Sequence, residues 1–159
     1  MTSVAIDQPA PAFEAAATSE RTIRSEALQG RNLVLYFYPK DNTPGCTTEG
    51  NDFAGHYEEF SRLDTEILGV SRDSLKAHEN FRQKYGFPFD LISDPDEALC
   101  RLFDVIREKN MYGRKVMGVE RSTFLIDRRG VLRREWRKVK VDGHVEEVLA
   151  AVRELENQA

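Results

Sequence analysis

The chain has 159 residues, 40% of them hydrophobic and 31% charged, with a net charge of −4. That fits one globular domain over residues 1–159 and gives no electrostatic basis for a nucleic-acid partner or an acidic membrane surface. No apolar run nears the roughly 20 residues of a membrane span. The start, MTSVAIDQPAPAF, lacks the parts of a secretory signal, and two cysteines, Cys46 and Cys100, make no disulfide framework. A reducing cytoplasm is the expected setting, where a cysteine is more often chemical than a staple.

Residues 1–12, with Pro9 and Pro11, read as an extended lead-in. FEAAATSERTIRSEAL suits a short hairpin, and QGRN a turn. LVLYFYP is an unbroken run of strand formers, fit for a central strand buried on both faces. Gly50, Phe53, Tyr57 and Phe60 recur at the spacing of one helix face. EILGVSR (66–72) reads as another buried strand. Leu75, His78, Phe81 and Tyr85 stripe a second helix, and FPFDLISD (87–94) is a shorter strand. DPDEALCRLF opens a helix with Asp94 as N-cap, Pro95 at the first position and Glu97 at the third. STFLID (122–127) is a third buried strand, and GVLRREWRKVKV a strand with one wet face. Val145, Val148, Leu149, Val152 and Leu155 mark a last helix, with Asp142 as its expected cap. Strands alternating with helices predict an α/β sandwich with a largely parallel sheet, and the closing hairpin adds antiparallel strands.

Cys46 stands at a corner of this pattern. Thr43 is a good N-cap, Pro44 suits the first helical position, and Gly45 the second. Cys46 then falls at the third, where the unsatisfied N–H groups and the positive end of the helix dipole favour an anion. A thiolate is such an anion, so Cys46 should be nucleophilic near neutral pH. Gly45 leaves room beside the sulfur for a small electrophile. No second cysteine lies within three residues, which argues against a C-x-x-C disulfide exchanger.

PKDNTPGC fits the P-x-x-x-T-x-x-C signature of peroxiredoxins. The wider YFYPKDNTPGCTTEGNDF resembles the peroxiredoxin Q group, also called bacterioferritin comigratory protein. GVSRDSLKAHENFRQKYGFPFDLISDPDEALCRLFDV and RSTFLID follow in that group's order, so the resemblance spans nearly the whole chain. It implies a thioredoxin-like fold, a central mixed sheet flanked by helices. It also implies a thiol peroxidase acting on hydrogen peroxide and small organic hydroperoxides, with an antioxidant role and no metal, haem or flavin. By the same resemblance Cys46 matches the cysteine whose thiolate attacks the O–O bond and becomes a sulfenic acid. Thr43 matches the threonine that holds peroxide and sulfur, and Pro39 the proline that shields the pocket. Arg121 matches the arginine that completes the site, and Glu49 an acid that helps hold that arginine.

Other features carry less. His56, His78 and His144 show no metal spacing, and His56 and His78 read as surface or boundary residues. No phosphate loop is present. RRGVLRREWRKVKV holds seven basic residues in 14 positions, which a half-exposed strand explains as well as a partner patch.

The chain departs from the group at the resolving cysteine. One usual position is filled by Asn51, the other by Arg82. Cys100 remains, read as a turn inside its helix and facing the core beside Leu99, Leu102 and Phe103. The expectation is a one-cysteine enzyme whose sulfenic acid is reduced by an external thiol such as thioredoxin, glutaredoxin or glutathione, with Cys100 as the sole candidate for internal resolution. The group's resemblance leans toward a monomer. The rival reading is a peroxide sensor or holdase on the same fold, oxidised once without sustained turnover.

Overall fold

The computed structural model describes residues 4–158, so the first three residues of the expected lead-in lie outside it. The fold is organised around the LVLYFYP run. Strand β3 (Asn32–Phe37) is buried along its whole length. Leu33, Leu35 and Phe37 enter one apolar cluster, while Val34, Tyr36 and, just past the strand, Tyr38 enter a second on the opposite face. Both faces are covered, so the sequence shows no polar alternation.

A seven-stranded sheet forms around this strand. Its order is β2 (Arg21–Arg24), β1 (Glu14–Ala17), β5 (Asp90–Ser93), β4 (Thr65–Ser71), β3, β8 (Ser122–Ile126), β9 (Leu132–Trp136). Only β3–β4 and β4–β5 pair in parallel, and the other four neighbours are antiparallel. The sheet is therefore mixed, as the family resemblance implies, and not largely parallel as the strand–helix alternation suggests. The alternation misleads because β8 is entered from a separate hairpin, β6 (Ile106–Met111) and β7 (Arg114–Val119), and not through a helical crossover. The predicted hairpin β1–β2 closes the far edge.

Four helices cover one face. Phe53 of α1 (Pro44–Gly55), Phe60 of α2 (Tyr57–Arg62), Phe81 of α3 (Leu75–Tyr85) and Val148 of α5 (His144–Asn157) all join the cluster that contains Tyr36. Phe53 stacks on Tyr36 at 4.5 Å between centroids, and burying such a ring is worth about 1.5–3 kcal/mol. The predicted stripe from Gly50 to Phe60 is divided between two helices, because the backbone of His56 turns out of helical geometry. The other face is covered by α4 (Ala98–Leu102), the β1–β2 hairpin and the base of β6–β7.

Two expected caps differ. Helix α4 begins at Ala98, not Pro95, because residues 94–97 first close a turn, with the Glu97 N–H donating to the Asp94 carbonyl and Glu97 at φ 62°. Asp94 still serves the helix from a distance: its carboxylate accepts from the N–H groups of Leu99 (3.0 Å) and Cys100 (2.7 Å). Asp142 caps nothing, since α5 starts after Gly143 at φ 74° with no side-chain cap. The basic stretch is largely tied down. Arg128 bonds Asp64 and Glu156, Arg133 pairs with Asp127, Arg137 donates to the Phe103 and Asp104 carbonyls, and Arg134 lies over Trp136. No helix among the described residues is long and apolar enough to cross a membrane.

Candidate active site

The corner after β3 has the local structure that its residue types dictate. Thr43 is the N-cap of α1, with extended backbone, and Pro44 opens the helix. Cys46 is the third helical residue and 2% exposed. The Thr43 hydroxyl gives no capping bond and donates instead to the Lys40 carbonyl at 2.9 Å. The first turn therefore has no side-chain cap, and Cys46 stands at the positive end of the helix dipole. With its proton committed to Lys40, the Thr43 oxygen retains lone pairs that can accept from a bound hydroxyl. Pro39 sits half-buried in the same loop.

Arg121 arrives from across the sheet. The β3–β8 register pairs Phe37 with Ser122, so Arg121 stands one residue beyond the strand, over the start of the loop that leads to Cys46. Its Nη2 lies 3.4 Å from Cys46 Sγ, and its Nη1 donates to Glu49 Oε1 at 2.6 Å. Glu49, one turn along α1 from Cys46, is fully buried, and its second oxygen has no partner. Burial lifts the Glu49 carboxyl to about 7 against the pull of Arg121. Burial alone would lower Arg121, but the charges of Glu49 and Cys46 outweigh it and hold the guanidinium protonated. A Cβ on Gly45 would lie 3.1 Å from Arg121 Nη2. The space beside the sulfur is thus taken by the guanidinium; Gly45 admits the arginine and not, as its sequence position suggests, the substrate alone.

The structure brings together Cys46, Thr43, Arg121, Glu49 and the Pro39 loop, which the sequence separates by up to 82 positions (121 minus 39). It keeps Cys100 apart. That thiol lies in the opposite cluster, beneath the other face of the sheet, and is 0% exposed. Burial, then the adjoining Asp94, pushes it well above the usual thiol range. Both cysteines are free. Cys100 is not a turn inside its helix but the third residue of α4, because the helix begins later than its sequence suggests. Asn51 is exposed, and Arg82 donates to the Phe89 carbonyl at 3.0 Å.

Sequence reasoning missed one group beside the site. His78, expected at the surface or a boundary, is fully buried, with Nδ1 2.7 Å from Asp41 Oδ2 and Nε2 2.9 Å from the Ile92 carbonyl. The signal was present: His78 shares the stripe of Leu75, Phe81 and Tyr85, and a stripe position predicts burial. Asp41, Asp73 and His78 bring ligand-type atoms within 4.8 Å of one another, but these atoms already bond each other and the loop. His56 pairs with Glu59 at 2.9 Å. His144 is buried against Thr123 Oγ1 at 2.8 Å, and burial lowers it to about 4.

Comparison with known proteins adds to this geometry. The AhpC/TSA family model matches residues 6–135. Peroxiredoxin Bcp of Xanthomonas campestris is 54% identical over 157 residues, covering 96% of this chain and 97% of that one. Peroxiredoxin Bcp of Bacillus subtilis is 46% identical over 153 residues, covering 96% and 98%. Among solved structures, the Xanthomonas campestris bacterioferritin comigratory protein, described for its alkyl peroxide reduction activity and trapped intermediate and ligand complexes, superposes with a TM-score of 0.87. It is 53% identical and covers 91% of this chain and 92% of that one.

Proposed function

Since this chain belongs to the AhpC/TSA family and is a thiol-dependent peroxidase of the peroxiredoxin Q group, we propose that Cys46 is the thiol that reduces the peroxide and that a thiol from outside the chain restores it. The supporting observation is the sulfur itself: buried, at a helix start without a side-chain cap, and 3.4 Å from Nη2 of a guanidinium whose Nη1 is held by Glu49.

The chemistry follows from that placement. The Cys46 thiolate attacks one peroxide oxygen, the O–O bond breaks, and the departing oxygen leaves with a proton as water or an alcohol. Cys46 becomes a sulfenic acid. Arg121 stabilises the thiolate and the charge that builds on the departing oxygen, and being fixed beforehand it needs no reorganisation as the bond breaks. Thr43 accepts from the peroxide hydroxyl and orients it, Pro39 keeps bulk water from the pocket, and Glu49 aims Arg121. An external thiol then attacks the sulfenic sulfur, releasing water and leaving a mixed disulfide. A second thiol frees Cys46 and carries away the disulfide. Asn51 and Arg82 cannot supply the first of these thiols, and Cys100 lies under the wrong face of the sheet. The related bacterioferritin comigratory protein described for alkyl peroxide reduction supports organic hydroperoxides as substrates beside hydrogen peroxide. The whole chain acts as one domain and one monomer in the cytoplasm.

The test is steady-state peroxide consumption with thioredoxin, glutaredoxin with glutathione, or dithiothreitol as reductant. Sustained turnover with at least one donor, undiminished in Cys100→Ser, is expected. Consumption that stops after one equivalent with every donor would overturn external resolution and favour a sensor.

A further inference from the structure

We propose that Lys109 is a specificity-determining residue: its ammonium, held without a carboxylate partner at the Cys46 end of the sheet, favours external thiols that carry a negative charge apart from the sulfur. This deepens the reading of Cys46 as the peroxide-reacting thiol restored from outside the chain, and rests on it.

Three cations converge on this end of the sheet. β3 and β4 run parallel, so Arg72, one residue past β4, stands at the same end as the loop to Cys46. Arg121 stands just before β8, whose Ser122 pairs with Phe37. β7 ends at Val119, two residues before Arg121, which brings the base of the β6–β7 hairpin to the same place. Lys109 lies in the middle of β6, opposite Val116. Its side chain runs over Gly118, where a Cβ would meet its Cδ at 3.3 Å and its Cε at 3.5 Å. Its Nζ donates to the Val119 carbonyl at 2.5 Å. The ammonium is thereby directed toward the Arg121 end of the hairpin and away from its tip.

Lys109 differs from the two arginines in what faces it. Arg121 pairs with Glu49 at 2.6 Å, and Arg72 with Glu97 at 2.8 Å. Among the described residues Lys109 has no carboxylate partner, and its bond to a backbone carbonyl leaves further N–H donors on the ammonium. It is half-buried. Burial, then the charges of Arg121 and Arg72, lower its pKa, while Glu120 and Cys46 act against them. A fixed cation with no matching anion draws negative charge to the surface around it.

The step this bears on is the attack of an external thiolate on the sulfenic sulfur. An S–S bond forms, the S–O bond breaks, and the oxygen leaves as hydroxide, which takes up a proton to become water. Hydrogen peroxide is neutral and has no group beyond its oxygens for Lys109 to read. A thiol brings such groups with it, and glutathione, a net anion, is a thiol of the favoured kind.

The test oxidises Cys46 with one equivalent of hydrogen peroxide and times the loss of its sulfenic acid by rapid quench. The reductants are 2-mercaptoethanesulfonate, 2-mercaptoethanol and cysteamine, which share a stem and differ in charge, with each rate taken per thiolate. The sulfonate should outpace the amine, and added salt should narrow the gap. Lys109→Gln keeps a donor toward the Val119 carbonyl and removes the charge. It should reduce the sulfonate-to-amine rate ratio by about tenfold, the scale of one partly screened unit charge acting with opposite sign on the two thiols, while slowing sulfenic acid formation far less. Lys109→Arg should retain the ratio. A residue that served only to hold the hairpin would slow all the thiols alike. An unchanged ratio in Lys109→Gln, or an equal loss of it in Lys109→Arg, would overturn the assignment; should Lys109→Gln fail to fold, a ratio that ignores salt in the unaltered protein would do the same. Linoleic acid hydroperoxide against its methyl ester tests the other source of an anion: a preference for the acid that depends on Lys109, with none among the thiols, would overturn the thiol assignment. Absence of sulfenic acid on Cys46, or its failure to react with any of these thiols, would instead overturn the reading beneath it.

Discussion

Cys46 and Cys100 occupy the same place in their helices. Each is the third residue of its helix, and each is buried in an apolar cluster. They differ in which group holds the first-turn amides and in which charge faces the sulfur. At α1 no side chain caps the turn, and the charge that faces the sulfur is the Arg121 guanidinium, 3.4 Å away. At α4 the Asp94 carboxylate takes the N–H groups of Leu99 and Cys100 and then lies against the thiol. A helix start favours an anion only while its amides are free to face that anion. Once a carboxylate has them, the same position disfavours a second negative charge. The helix position alone does not make a reactive thiol.

The sharpest way to break this contrast is to remove the first sulfur. Cys46→Ser should abolish peroxide consumption, because a hydroxyl cannot form a sulfenic acid; turnover near that of the unaltered protein would refute the assignment. Arg121→Met tests the charge that distinguishes the two thiols. Peroxide reduction should slow by on the order of 10²-fold, as when other preorganised charges are lost, with the unfolding midpoint changed much less. An unchanged rate would reduce Arg121 to a packing role.

Glu49 sharpens the comparison through pH. Folded, it keeps its proton to about pH 7; unfolded, it gives the proton up near 4.5. Between those values the folded state binds more protons, so this group's contribution to stability is full below pH 4.5 and falls as pH rises, by on the order of 3 kcal/mol. His144 acts oppositely: folded, it stays neutral down to about pH 4, whereas unfolded it protonates near 6.5, so stability falls as pH drops through that window. Urea unfolding from pH 5 to 8 should therefore show Glu49→Gln losing the decline toward higher pH. The same slope in variant and unaltered protein would mean that the Glu49 carboxyl is not held protonated by burial. The smallest effect is expected for Cys100→Ser, which should leave turnover with an external thiol almost unchanged; a large loss would give that sulfur a part in resolution.

The sequence made some of this legible and hid the rest for identifiable reasons. The start of α1 at Thr43-Pro44 was readable because N-cap and first-turn preferences are local, and β3 because burial on both faces removes polar alternation. The place of α4 was not, since Asp94 reaches its amides over an intervening turn that only backbone geometry reveals. The mixed sheet was obscured in the strand–helix count because pairing partners are chosen by tertiary register. Outside the family resemblance nothing in the sequence sets Arg121 apart from other charges at strand ends; the pairing of Phe37 with Ser122 is what brings it to Cys46. The burial of His78 was hidden because a polar side chain within an apolar stripe also suits a helix boundary.

The most direct measurement adds one equivalent of hydrogen peroxide to the reduced protein, traps free thiols, and maps the peptides by mass spectrometry. The account predicts sulfenic acid on Cys46, or a mixed disulfide there when a small thiol is added, with Cys100 still a free thiol. A dominant intrachain pair of Cys46 with Cys100, or oxidation at Cys100 while Cys46 stays reduced, would contradict it.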